Sequence, residues 1–151
     1  MIQKTLVLSL LSTVMYACSA EMIPLQVKYS SNQCGIPKPM LISIKSASEL
    51  ANLFEPAQKK ALSSQTFKID VDYQNQVLIL FAMGQKPSSG YTILLRDKVA
   101  RLESEKLYLP INIQQPAEGS LQGQVISSPC QIYVISKIEF MEILVAKRQP
   151  R

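Results

Sequence analysis

The run Val77-Leu78-Ile79-Leu80-Phe81-Ala82-Met83 constrains the fold more than any other segment. It is apolar at every position, so it lacks the alternation of a strand with one wet face. It reads as a central strand buried on both faces, ended by Gly84. Other segments alternate with period two: Leu25 to Tyr29, Met40 to Ile44, Phe67 to Tyr73, and Leu107, Leu109, Ile111 and Ile113. Pro110 inside the last of these points to an edge strand. Tyr91 to Leu95, Gln131 to Ile135 and Ile138 to Ala146 are further β-rich runs. One segment has helical spacing. Ser46 can cap, Glu49 follows at the capping-box distance, and Leu50, Leu53 and Phe54 share a face. Pro56 is expected to end that helix. The predicted class is mainly β (α+β), a small β-sandwich or partly open barrel with one N-terminal helix packed on it.

Residues 1–20 read as a secretory leader. Lys4 precedes an uncharged, mostly apolar stretch from Leu6 to Ala17, which is too short to span a bilayer core of about 30 Å. Two cleavages compete. Val14-Met15-Tyr16-Ala17-Cys18 resembles a bacterial lipoprotein box, with Cys18 lipidated as the mature N-terminus. Alternatively an ordinary signal peptidase cuts after Ala20 and leaves Glu21 first. The lipoprotein reading is the one adopted. It places the chain on the periplasmic side of a bacterial envelope, held to the membrane by lipid. Residues 21–45 then form an N-terminal β segment, 46–146 the main domain, and 147–151 a basic tail.

The chain has three Cys: Cys18, Cys34 and Cys130. With Cys18 lipidated, two remain in an oxidising compartment, where a pair bonds if geometry allows. Cys34 and Cys130 are therefore expected to form a disulfide, the competing reading being two separate buried thiols.

Composition excludes several chemistries. The chain has no His and no Trp, so Ser-His and Cys-His pairs and His-ligated metals are ruled out. Hydrophobic residues make up 47% and charged residues 18%, enough to build a core. The net charge of +5 is scattered rather than striped, which argues against nucleic-acid binding. Asp70 and Asp72 share a face but alternate with apolar residues, so they read as solvated carboxylates. A Ser-Lys pair using Lys86 would need a desolvated lysine. The expectations are no catalytic residue, no metal, no cofactor and no small-molecule substrate.

Two segments carry a resemblance. Lys68 to Leu95 reads KIDVDYQNQVLILFAMGQKPSSGYTILL, and Leu121 to Lys137 reads LQGQVISSPCQIYVISK. Together, with the helix before them, they resemble the C-terminal domain family of PrcB protease-complex subunits. The matching positions are Val71, Asp72 and Tyr73, then Gly84, Lys86, Pro87, Gly90 and Tyr91, then Ser127, Ser128 and Pro129. Ser88 and Ser89 depart from the family's Thr and Gly, and Cys130 from its aromatic residue. The family implies an accessory lipoprotein of a surface protease complex, not an enzyme. The loop is also similar to that of chagasin-like cysteine protease inhibitors, whose R-P-W segment this chain lacks.

The candidate recognition loop is Lys86-Pro87-Ser88-Ser89-Gly90-Tyr91. Pro87 fixes one φ, the serines bond to nearby backbone, and Gly90 permits positive φ. A stiff loop between strands suits a protein partner, a protease among the candidates. The competing reading is that the loop only turns the chain and Tyr91 packs into the core. The function expected is a non-enzymatic binding module of the envelope, an accessory subunit of a protease complex. The alternatives are a chagasin-like inhibitor and a purely structural scaffold.

Overall fold

The computed structural model describes residues 19–60, 69–119 and 123–146. Cys18 and nearly all of the leader, Phe67, Lys68 and the basic tail lie outside these residues. In chain order the elements are β1 (Glu21–Pro24), β2 (Gln26–Ser31), β3 (Pro39–Ile44), α1 (Ala47–Lys60), β4 (Gln76–Met83), β5 (Thr92–Leu95), β6 (Val99–Glu103), β7 (Lys106–Leu109), β8 (Ile111–Gln114), β9 (Cys130–Ser136) and β10 (Glu142–Val145).

The middle sheet has the order β2-β9-β4-β3, all antiparallel. A second sheet, β1-β6-β7-β10, packs on one face, and the β5-β8 pair extends that layer. β10 joins β7 in parallel. The chain is thus a mainly β sandwich with one helix. No barrel closes among the described residues.

The run at β4 is covered on both sides, as its composition demands. Val77, Ile79, Phe81 and Met83 join Tyr133 and Ile135 in a core against the second sheet, where Leu107, Leu109 and Ala100 meet them. Leu78, Leu80 and Ala82 join Ile132 and Val134 in a core on the opposite face, under Leu50 and Phe54 of α1. Period-two geometry sends successive side chains to opposite faces, so an unbroken apolar run fills two cores at once.

α1 starts as its sequence signal requires. Ser46 Oγ accepts the Glu49 N–H at 3.2 Å, while Glu49 Oε2 accepts the Lys45 N–H at 2.7 Å. The helix does not stop at Pro56 but runs on to Lys60. An internal proline forfeits one N–H bond and bends a helix without always ending it.

Three further expectations are corrected. The alternating run around Ile69 to Tyr73 is not a strand, because residues 73–75 turn. Asp72 drives that turn: its carboxylate accepts the Gln74 N–H at 3.0 Å and the Asn75 Nδ2 at 2.7 Å. Ile69, Val71 and Tyr73 still pack on the helix-side core, so the alternation reports burial without a ladder. The run from Leu107 to Ile113 is two strands, not one edge strand. Pro110 is the corner at which the chain leaves β7, paired on both flanks, for β8. Of Ile138 to Ala146, only β10 is strand, while β1 lies in the expected N-terminal β segment and β6 is a strand with no counterpart in the sequence reading.

Candidate functional site

The loop after β4 is held from below by the segment that leads into β9. Lys86 and Ser127 exchange backbone bonds, Lys86 N–H to Ser127 O at 2.8 Å and Ser127 N–H to Lys86 O at 3.0 Å. The buried Ser127 hydroxyl donates to Ser88 O at 2.6 Å. Ser89 N–H reaches Gly123 O at 3.4 Å. Each bond spans a wide gap in sequence, so the loop is fixed by tertiary partners as well as by its own turn residues.

The next residue braces the neighbouring segment. Ser128 Oγ accepts the Gly35 N–H at 2.7 Å, Ser128 O accepts the Cys34 N–H at 3.0 Å, and Ser128 N–H donates to Asn32 O at 2.9 Å. Cys34 and Cys130 are disulfide-bonded, with Cα atoms 5.9 Å apart, inside the reach of about 7 Å that such a bond requires. The expected pairing is therefore present, and it lies in the helix-side core.

A bonded triad ties β9 to its neighbours. Tyr133 Oη donates to Gln131 Oε1 at 2.6 Å, and Gln131 Nε2 donates to Ile93 O at 3.0 Å. Burial pushes the Tyr133 phenol well above its ordinary pKa, which keeps it a neutral donor.

The loop residues divide by exposure. Pro87 and Ser89 stand out in solvent, while Lys86, Ser88, Gly90 and Tyr91 are half-buried. Tyr91 packs against the sandwich core, and the Lys86 ammonium lies 5.5 Å from its ring centre. Positive φ falls at Gly84 (71°), not at Gly90. The physical reason is contact: a Cβ at Gly84 would stand 2.7 Å from Pro39 N. Gly90 lies where an ordinary φ suffices. Sequence reasoning overlooked the neighbours that complete the surface. Val125 and Ile126, 58% and 64% exposed, stand in the segment that supports the loop. Two adjacent apolar residues before a Ser-Ser-Pro segment were the available signal.

Asp70 and Asp72 are both exposed, as read. The Asn75 amide and the Gln74 N–H hold the Asp72 carboxyl below its ordinary pKa, which is turn chemistry rather than acid-base poise. Among the described residues no three His, Cys, Asp or Glu side chains gather as metal ligands.

With this geometry in view, one known family shows a similarity to part of the chain. Residues 77–136 match the PrcB C-terminal family. The match runs from β4 to β9 and takes in the loop, the bridging Ser127-Ser128-Pro129 segment and Cys130. The resemblance read from the sequence thus holds for this stretch, while α1 lies outside the match. No curated protein and no solved structure matches the chain. Within the matched stretch the conspicuous outward feature is the braced loop with Val125 and Ile126 beside it.

Proposed function

We propose that this protein is an envelope lipoprotein, anchored through Cys18, that binds another protein without catalysing a reaction and serves as an accessory subunit of a protease complex. The match to the PrcB C-terminal family supports the protease connection. The observation that carries the binding reading is the loop itself. Its backbone is tied to Ser127 and Gly123 before any partner arrives, and apolar Pro87, Val125 and Ile126 face water beside it. Preorganisation lowers the ordering cost of association, and exposed apolar side chains supply its driving force.

Affinity capture from an envelope fraction tests the reading. A Pro87→Glu/Ile126→Glu variant changes only exposed side chains, so its melting temperature should match the wild type. It should capture at least about tenfold less of the partner, since charge is excluded from apolar interface centres. Equal capture by the two proteins overturns the loop as the interface. A captured partner without proteolytic activity overturns the protease connection. Cys18→Ala should move the protein from membranes to the soluble fraction, and a wild type that is already soluble overturns the anchor. Among the described residues no helix is long and apolar enough to cross a membrane.

A further inference from the structure

The ladder between β4 and β9 fixes which backbone groups of β3 are in use. Met83 N–H donates to Pro129 O at 2.9 Å and Lys137 N–H to Asn75 O at 2.8 Å, so the odd-numbered residues of β4 face β9. The even-numbered residues face β3, where Ala82, Leu80 and Leu78 pair with Met40, Ile42 and Ile44. Strand alternation then turns the backbone of Pro39, Leu41 and Ser43 away from the sheet. Lys45, next on that side, has its N–H capped by Glu49. Two donors and three acceptors therefore line an edge to which no described strand bonds.

The opposite edges of the two four-stranded sheets are defended. β1 is short and ends in Pro24, and β2 is broken by a bulge between Val27 and Tyr29 and carries Lys28. Such devices blunt edge pairing. β3 is straight, and from Met40 to Ile44 it carries no charge. Its Met40, Leu41 and Ile42 are only half-buried, whereas their β4 partners are buried. Each end of the edge opens into a cleft. One, of about 360 Å³, is lined by Pro39, Leu41 and Ile113. The other, of about 280 Å³, is lined by Ser43 and Phe140.

We propose that β3 accepts an extended segment of a partner protein as an added strand, apolar in alternate positions and acidic at its ends. Backbone pairing supplies affinity in this mode and pockets for alternate side chains supply selectivity. Charge selects the occupant. Lys38 and Lys86 flank one end, and Lys45 and Lys137 flank the other, where Glu139 lines the cleft and Glu49 is occupied with the Lys45 N–H. A second copy paired about Leu41 would bring Lys45 of each chain beside Lys38 of the other, and Pro39 would offer no donor. Like charges so placed repel, which disfavours self-pairing. This site pairs through the backbone of β3 and shares only the Lys86 side chain with loop 86–91.

Amide exchange of the purified, oxidised protein tests the proposal, with a peptide of alternating Val and Thr bearing Glu at both ends as probe. The Leu41 and Ser43 amides should exchange fast in the free protein and roughly tenfold more slowly with the peptide. The same peptide bearing Lys at both ends should bind at least about fivefold more weakly. Ser43→Pro removes an outward donor and should weaken peptide binding while the melting temperature holds. The wild-type amide readout stands even if that variant misfolds. Protection already present without peptide shows that a segment of this chain covers the edge and overturns the proposal. Protection that grows with protein concentration assigns the edge to a second copy and also overturns it, as does exchange indifferent to peptide.

Discussion

The end of the sandwich at loop 86–91 and the flank at β3 spend their backbone groups differently. At the loop end Lys86, Ser127, Ser128 and Cys34 bond across strands, and a disulfide lies beneath them. Along β3, Leu41 and Ser43 direct their amides at no described strand. The first region presents side chains on a fixed frame, and the second presents the frame itself. A protein docking on the loop would read shape and apolar contact. A partner of β3 must bring its own backbone in extended form.

The comparison breaks most severely if the brace is removed. Cys34→Ser/Cys130→Ser opens a cross-link between residues 96 apart in sequence. The loss should be roughly 3–4 kcal/mol, read by thermal or denaturant unfolding. Leu41 and Ser43 exchange should change little below the transition if the two regions are independent. Gly84→Ala acts where the regions touch, because the new Cβ meets Pro39 at the start of β3 and the φ of 71° is strained for alanine. About 2 kcal/mol of destabilisation is expected, measured by denaturant midpoint at constant slope. The smallest effect sharpens the flank. Tyr73 Oη is buried beside the cleft at Ser43 and has no hydrogen-bond partner among the described residues. Burial, with Glu49 nearby, raises its pKa, so the hydroxyl stays neutral. Tyr73→Phe should be neutral or stabilising by up to about 1 kcal/mol, since it deletes an unsatisfied group. A loss of more than that would reveal a partner for the hydroxyl.

Much of this architecture was legible because the pattern at β4 admits few explanations. Seeing Val77 to Met83 apolar throughout was enough to require layers on both sides, and the capping signal at Ser46 located the helix. β6 escaped because its hairpin turn breaks the usual chemistry. Ser104 and Glu105 carry positive φ of 50° and 62° where Asn-Gly or Asp-Gly would announce a turn. Ladder contacts and the Met141 N–H bond to Glu105 O hold that turn instead. Pro110 was read as the mark of an edge, yet it marks a corner between sheets. Both readings follow from its missing N–H, and sequence spacing cannot separate them. At the site, the six loop residues were legible as a turn. Their brace was not, because Ser127 and Gly123 approach only after β9 has paired with β4. The free groups of β3 were equally hidden, since an open edge is a property of strand order.

The second sheet also imposes a schedule. Its outer strands are β1, from the beginning of the described chain, and β10, from its end. A chain emerging amino-terminus first holds β1 without a mate until β6 appears, and leaves the flank of β7 bare until residues 142–145 arrive. Pairings so distant in sequence fold slowly, because loop closure precedes the contacts that reward it. Until synthesis has passed residue 145, the apolar faces of Leu107 and Leu109 lie beside an unfilled lane. During that interval the growing chain carries an open lane that the finished protein closes.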